Sequence, residues 1–230
     1  MGLIRTLLAM SVLVAHTNVY DNLLFVGARN AVQIFYIISG FLISYILFEK
    51  KSYNKIINFY QNRILRLFPI YFIIFIITFA WYINFNTKFF DYWTNLGSTE
   101  KIFSIVSNVF IIFQDYFHFI PLEKGIININ SSSKEMLSQS ILVSQSWTLA
   151  LEIAFYLIAP FVLKNKKILF LLFFLSITVR LLLFKIGIAT ELNWSYMFFP
   201  AELSLFLLGA LSHQILTPIY KNYKYLFTKK

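Results

Sequence analysis

Apolar runs of about 17 to 20 residues recur along this chain, and this repetition constrains its fold more than any other feature. A helix needs a run of about that length to cross the hydrocarbon core of a bilayer. Charged residues make up only 13% of the sequence, well below the share of a soluble domain, so the chain has too little polar surface for a soluble fold. The sequence therefore predicts an all-α, polytopic transmembrane helical bundle, with residues 1–230 forming a single membrane-embedded domain.

The positions of the charged residues separate about six spans. We expect them near residues 4–23, 30–48, 67–85, 147–163, 168–186 and 195–216. A further apolar stretch, 102–120, is interrupted by Gln114, Asp115 and His118. If this stretch crossed the membrane, the basic cluster at 164–167 would fall outside the cell. We therefore expect 102–120 to be a re-entrant or interfacial segment.

The net charge of +10 is concentrated between and after the apolar runs, in residues 50–66, 164–167 and 221–230. Such clusters are typical of cytoplasmic loops, so we expect both termini to be cytoplasmic. The richness in Ile, Asn, Lys and Phe is typical of an AT-rich bacterial genome, so we expect the inner membrane of a bacterium. No basic helix carries interleaved aromatic residues, which argues against nucleic acid as a partner. The absence of cysteine excludes disulfides and thiol chemistry. The three histidines lie far apart, so we expect neither a metal site nor a bound cofactor.

Arg5 and His16 stand inside the first apolar run. Eleven residues make about three helical turns, so both side chains share one face, roughly 16 Å apart. Ionisable residues at membrane depth usually face a protein interior or a wet cavity and mark function. The alternative is an anchoring arginine together with a neutral histidine that is hydrogen-bonded inside a packed bundle.

Glu152 lies five residues into the fourth predicted span, at nearly the depth of His16. A carboxylate beside a histidine is the usual arrangement of a general base, because the acid orients the imidazole and stabilises its protonated form. The alternative is a structural role, in which Glu152 pairs with Arg180 or with an exposed backbone group.

Arg63 and Arg66 are three residues apart at the start of the third predicted span, level with Arg5. Three guanidinium groups at one membrane surface would suit phosphate oxygens, which they bind in bidentate fashion. The alternative interpretation, equally consistent with the sequence, is that the three arginines are topology signals or contacts to lipid headgroups. Ser39 and Gly40, in the middle of the second span, permit either close helix approach or passage of a ligand chain past the backbone.

Three stretches carry a family resemblance. They are IRTLLAMSVLVAHT, with arginine and histidine eleven residues apart; AVQIFYIISGFLIS, followed by FYQNRILRLFPIYF; and SWTLALEIAFYLIAPFVL. In this order they resemble the membrane acyltransferase family 3, multi-pass O-acyltransferases that decorate cell-surface sugars. The resemblance spans residues 5–163. It implies transfer of an acyl group, such as acetyl, from acyl-CoA to a hydroxyl of a cell-envelope glycan, for example lipopolysaccharide or a lipid-linked sugar.

Carried over by position, the resemblance makes His16 the essential histidine and Arg5 its motif partner. Arg63 and Arg66 match the family's cytoplasmic arginines, and Glu152 matches its fourth-helix acid. We expect the donor's nucleotide at the arginines, its pantetheine arm passing Ser39 and Gly40, and the acceptor hydroxyl arriving at His16 from outside.

The chain departs from the family pattern in two respects. Ile153 and Ala154 stand where many members have a second acid and a glutamine. Members usually have more spans, so we expect this chain to correspond to the N-terminal part of such a protein. Two other functions fit the sequence: an inactive, truncated membrane protein, and a small transporter of acyl groups or glycans.

Overall fold

The computed structural model describes residues 2–17, 26–50, 55–85, 87–129 and 134–228. These residues are overwhelmingly helical, and the one small sheet is an antiparallel pair, β1 (Leu122–Glu123) and β2 (Ile126–Ile127). The α-helices are α1 (Gly2–Thr17), α2 (Ala28–Glu49), α3 (Ile56–Phe85), α4 (Thr87–Asn95), α5 (Ser98–Phe110), α6 (Trp147–Val162), α7 (Lys166–Ile186), α8 (Phe199–Leu211) and α9 (Thr217–Thr228).

Five helical segments in the described part of the chain are long and apolar enough to cross a membrane, and α1 is a shorter apolar helix. The prediction of an all-α, polytopic bundle is therefore confirmed. The five segments are Ala28–Glu49, Ile56–Phe85, Ser144–Val162, Lys166–Ile186 and Asn193–Tyr223. The stretch 102–120 is not among them: it is divided between the 13-residue α5 and a 3-10 turn, Tyr116–Phe119.

The start of α3 differs from the prediction. The sequence suggested a surface segment over 49–66 and a helix beginning near Leu67, but α3 is continuous over 30 residues from Ile56, about 45 Å long. The basic residues that suggested a loop are carried by the first three turns of this helix. There Phe59 and Arg63 are buried, with their side chains close to the ring of Tyr156 on α6.

The centre of the bundle is the crossing of α2 and α8, where two glycines bring the backbones together. A Cβ atom on Gly40 would lie 1.8 Å from the Phe206 carbonyl oxygen, and one on Gly209 would lie 1.8 Å from the Ile37 carbonyl oxygen. Only glycine fits at either position, as is usual where membrane helices meet closely. This crossing fixes the face that α2 presents to its other neighbours.

The bundle has two chemically distinct ends. At the end called here the basic end, the Lys221 ammonium lies 3.3 Å from the Glu49 carboxylate, and the Gln214 amide donates to the Leu163 carbonyl. The opposite end is covered by residues 87–129 and 134–146, called here the cap. The Asn193 amide there donates to the His118 carbonyl at 3.1 Å, which ties the cap to the chain before α8.

The cap has a small apolar core of its own, formed by Leu96, Phe117, Leu122, Leu137 and Ile141. It is thus a folded unit that rests on one end of the bundle.

Candidate active site

A groove of about 280 Å³ separates α1, α2 and α6. Its walls are mostly aliphatic and aromatic, and Glu152 supplies the one carboxylate among its lining residues. The lining residues are Ala9, Val12, Val32, Phe35, Tyr36, Thr148, Leu149 and Glu152. This space is called here the central groove, and of the predicted catalytic residues Arg5, His16 and Glu152 it is Glu152 that stands among its lining residues.

Glu152 is held by the residue one helical turn further along α6. The Tyr156 hydroxyl donates to Oε2 of Glu152 at 2.9 Å, and the same hydroxyl lies 3.4 Å from Oγ of Ser39. Ser39, a predicted donor-binding residue, is thereby joined to Glu152 through one tyrosine. Glu152 remains half-buried and lines the groove.

Arg63 is buried, and no residue that the structure describes serves as its counter-ion. Its side chain is 5% exposed, and its guanidinium carbon lies 5.9 Å from the centre of the Tyr156 ring. Nη2 donates to the Asn62 side chain at 3.2 Å, while Nε has no partner. No acidic side chain in the described part of the chain forms an ion pair with it. Because a buried, unpaired charge is costly, this arginine is poised to bind an anion.

Arg66, one turn further along α3, is exposed and lines a second groove of about 330 Å³ between α3 and the start of α6. This lateral groove also contains Gln145 and Ser146. Thr148 and Leu149 line both grooves, so the first turn of α6 separates them. The lateral groove thus begins one helical turn beyond the buried Arg63 on α3.

Arg5 lies at the edge of the central groove, away from the other two arginines. Its guanidinium carbon is 6.0 Å from the centre of the Phe35 ring, a groove residue on α2. The three predicted phosphate-binding arginines thus divide between two faces: Arg5 is directed at α2, whereas Arg63 and Arg66 lie along α6.

His16 lies near the end of α1, one turn beyond Val12, and its ring is exposed. Its Nδ1 lies 2.7 Å from the Val12 carbonyl oxygen. Since a carbonyl can only accept, Nδ1 must carry the proton, and in the neutral ring Nε2 is then the free acceptor. The hydrogen bond to the helix backbone therefore fixes the tautomer that a general base requires.

The expected direct contact between His16 and Glu152 is not formed, since His16 bonds to its own helix and Glu152 to Tyr156. The alternative partner considered for Glu152 is also wrong, because Arg180 pairs with Glu202. Gly40 lies against the backbone of α8, which favours helix packing over passage of a ligand chain at that position.

The sequence did not predict a second polar cluster behind the groove. Glu202 is completely buried, at 2.8 Å from Nη2 of Arg180 and 3.1 Å from Nε2 of Gln33. Arg180 and Glu202 stand in consecutive spans, which is the signal that could have revealed this pair. It connects α2, α7 and α8 close to Tyr36.

Two further ionisable groups of the cap are perturbed by burial. Burial raises the pKa of the Asp115 carboxyl to about 7, although hydrogen bonds from its own and the Tyr116 backbone N–H groups oppose this. Burial also lowers the pKa of His118, whose ring stands edge-on to Trp147 at 6.1 Å. In the sequence both residues were visible only as interruptions of an apolar stretch.

The described residues contain no group of three or more histidine and acidic side chains that could hold a metal ion. In comparisons with known proteins, a family model described as an acyltransferase domain, acyltransferase family 3, matches residues 1–228. No curated protein and no solved structure matches the chain.

Proposed function

This chain belongs to acyltransferase family 3, and on that premise we propose that it moves an acetyl group from acetyl-CoA to a hydroxyl of a cell-envelope glycan. Family membership and the apolar helices make it a membrane acyltransferase. The donor, the acyl group, the acceptor and the orientation belong to the proposal. The basic end faces the cytoplasm of a bacterial inner membrane, together with both termini, and the cap faces outward.

The buried guanidinium of Arg63 is the observation that carries the donor assignment. A cation placed inside the bundle without an acid partner gains most from a ligand that brings negative charge. The phosphates of coenzyme A supply that charge, and Arg66 on the adjoining lateral groove adds a second guanidinium. Ser39 lies next to Tyr156, so the pantetheine arm passes it on the way to the central groove.

The spacing of the site supports this path. Arg63 is level with Tyr156 on α6, and Thr148, two turns higher, faces the groove together with Val12. His16 is one turn beyond Val12, so Arg63 and His16 are separated by roughly 18 Å along the helix axes. An extended phosphopantetheine arm covers such a distance and brings the thioester to the imidazole.

The chemistry then needs one base and one hydroxyl. Nε2 of His16 takes the proton of the acceptor hydroxyl as the acceptor oxygen attacks the thioester carbon. The carbon–sulfur bond breaks, and the departing thiolate of coenzyme A receives the proton from His16. Glu152 accepts hydrogen bonds from other hydroxyls of the acceptor, which suits a carboxylate that bonds to Tyr156 rather than to the histidine. The Arg5 guanidinium packs against the Phe35 ring and so stabilises the edge of the groove.

The test is acetyl transfer from labelled acetyl-CoA by purified, reconstituted protein. We expect His16→Gln to lower the turnover by about 100-fold or more, since a positioned general base contributes about that much. Thr17→Ala is the matched control, because the Thr17 hydroxyl bonds only to the Val14 carbonyl of its own helix. Unchanged turnover in His16→Gln would refute the role of His16. Mass spectrometry of envelope glycans from a deletion strain identifies the acceptor.

A further inference from the structure

Tyr36 is held rigidly at the inner wall of the central groove. Its side chain is 1% exposed, and its ring stacks on Phe206 at 4.6 Å, while Phe206 stacks on Phe155 at the same distance. Three rings from α2, α8 and α6 thus form one aromatic stack in the middle of the bundle. A phenylalanine in place of Tyr36 would stack equally well, because the contact involves the ring alone.

The Tyr36 hydroxyl is buried and has no hydrogen-bond partner among the residues that the structure describes. A buried hydroxyl without a partner lowers stability, and such groups are rare in native proteins unless a ligand or water satisfies them. The hydroxyl therefore needs an explanation that the folded chain alone does not provide.

The surroundings of this hydroxyl restrict what can bind to it. Tyr36 lines the groove together with Phe35 and Glu152, and the Glu152 carboxylate accepts its hydrogen bond from Tyr156. A phenol O–H donates one hydrogen bond, so the partner that Tyr36 lacks is an acceptor atom brought by a ligand in the groove.

The direction of the side chain also matters. Helical side chains lean toward the N-terminus of their helix, and the N-terminus of α2 lies at the cap end of the bundle, as does His16. The Tyr36 side chain thus leans toward the end of the bundle at which α1 carries His16.

We propose that the Tyr36 hydroxyl donates a hydrogen bond to the carbonyl oxygen of the acyl group, an inference that rests on the proposed function. When the acceptor oxygen attacks the carbonyl carbon, the carbonyl electron pair moves onto that oxygen, and the Tyr36 O–H stabilises the developing charge. The pair returns as the carbon–sulfur bond breaks, and the thiolate takes its proton from His16. Tyr36 is then a catalytic residue that stays protonated throughout.

The experiment compares Tyr36→Phe with Tyr92→Phe in two measurements, the thermal midpoint and the consumption of acetyl-CoA. Tyr92 lies in the cap, and its hydroxyl donates to the Met136 carbonyl at 2.9 Å. For Tyr36→Phe we expect a higher Tm, at least a tenfold lower kcat and a KM for acetyl-CoA within a factor of two. For Tyr92→Phe we expect a lower Tm and an unchanged kcat.

The expected rise in Tm and fall in kcat of Tyr36→Phe together distinguish a catalytic role of the hydroxyl from a structural one. An unchanged kcat in Tyr36→Phe, with an active wild type, would overturn the inference. So would a lower Tm, which would show that the hydroxyl has a structural partner such as a bound water. Loss of transfer to envelope glycan with normal acetyl-CoA hydrolysis would assign Tyr36 to the acceptor and overturn the carbonyl assignment. A wild type that consumes no acetyl-CoA would overturn the proposed function itself.

Discussion

A single buried cation links the stability of this protein to its donor. Arg63 has its guanidinium inside the bundle and forms no ion pair with any acid in the described part of the chain. We expect Arg63→Met to raise the Tm of the unliganded protein, because a buried charge without an ion-pair partner carries an uncompensated desolvation cost of about several kcal/mol. The same variant should raise the KM for acetyl-CoA at least tenfold. Lys55→Met, which removes an exposed charge just before α3, should change neither quantity. A less stable Arg63→Met with an unchanged KM would contradict this role.

A second residue, Asp115, makes the stability of the cap depend on pH. Its carboxyl has an ordinary pKa of 3.8 and a pKa of about 7 in the folded cap. The folded state therefore holds the proton more tightly, so the stabilisation is complete below pH 4 and is lost as the pH rises to about 7. We expect Asp115→Asn to remove this loss, on the order of a few kcal/mol. The Tm advantage of Asp115→Asn over wild type should grow from pH 4 to pH 7 and then level off. Asp91→Asn, an exposed change on α4, should track the wild type at every pH.

Among the elements, the crossing of α2 and α8 tolerates the least change. A methyl group at Gly40 meets the Phe206 carbonyl oxygen at 1.8 Å, and backbone atoms cannot move aside as a flexible side chain can. We expect Gly40→Ala to cost more than about 3 kcal/mol, a fall in Tm of roughly 10 °C for a chain of this size. Gly2→Ala is the control, since nothing lies within 4 Å of its added carbon. A Gly40→Ala protein with the Tm of the wild type would mean that the two helices do not touch there.

The sequence predicts the positions of those helices whose ends are determined by the burial of apolar residues in lipid alone. The apolar runs predicted α2, α6 and α7 to within about two residues, because their ends coincide with charged residues or loops. The start of α3 was missed because Arg63 and Arg66 were counted as surface charges. A basic residue continues a helix when its turn packs against a neighbour, and the contact between Arg63 and Tyr156 depends on the tertiary fold.

At the scale of the whole molecule, the site consists of motifs that the sequence displays separately. Ser39 and Glu152, 113 positions apart in the chain, both contact the Tyr156 hydroxyl. Periodicity indicated which residues share a helix face, but not which faces meet. The sequence therefore identified Glu152 and Arg63 as candidates and could not predict Tyr36, whose importance lies in a hydroxyl without a partner.

The proposed orientation of the bundle can be tested directly, because the chain contains no cysteine and each introduced thiol is unique. Ile129 in the cap is 83% exposed, and Lys166 at the start of α7 is exposed at the basic end. A cluster of lysines favours the cytoplasmic side of the membrane, so the cap should face outward. In intact cells we expect a membrane-impermeant maleimide to label Ile129→Cys and not Lys166→Cys, with both labelled after permeabilisation. The cysteine-free wild type sets the background. If only Lys166→Cys were labelled in intact cells, the bundle would have the opposite orientation. Arg63 would then be reached from outside the cell, and the proposed sides of the donor and the acceptor would be exchanged.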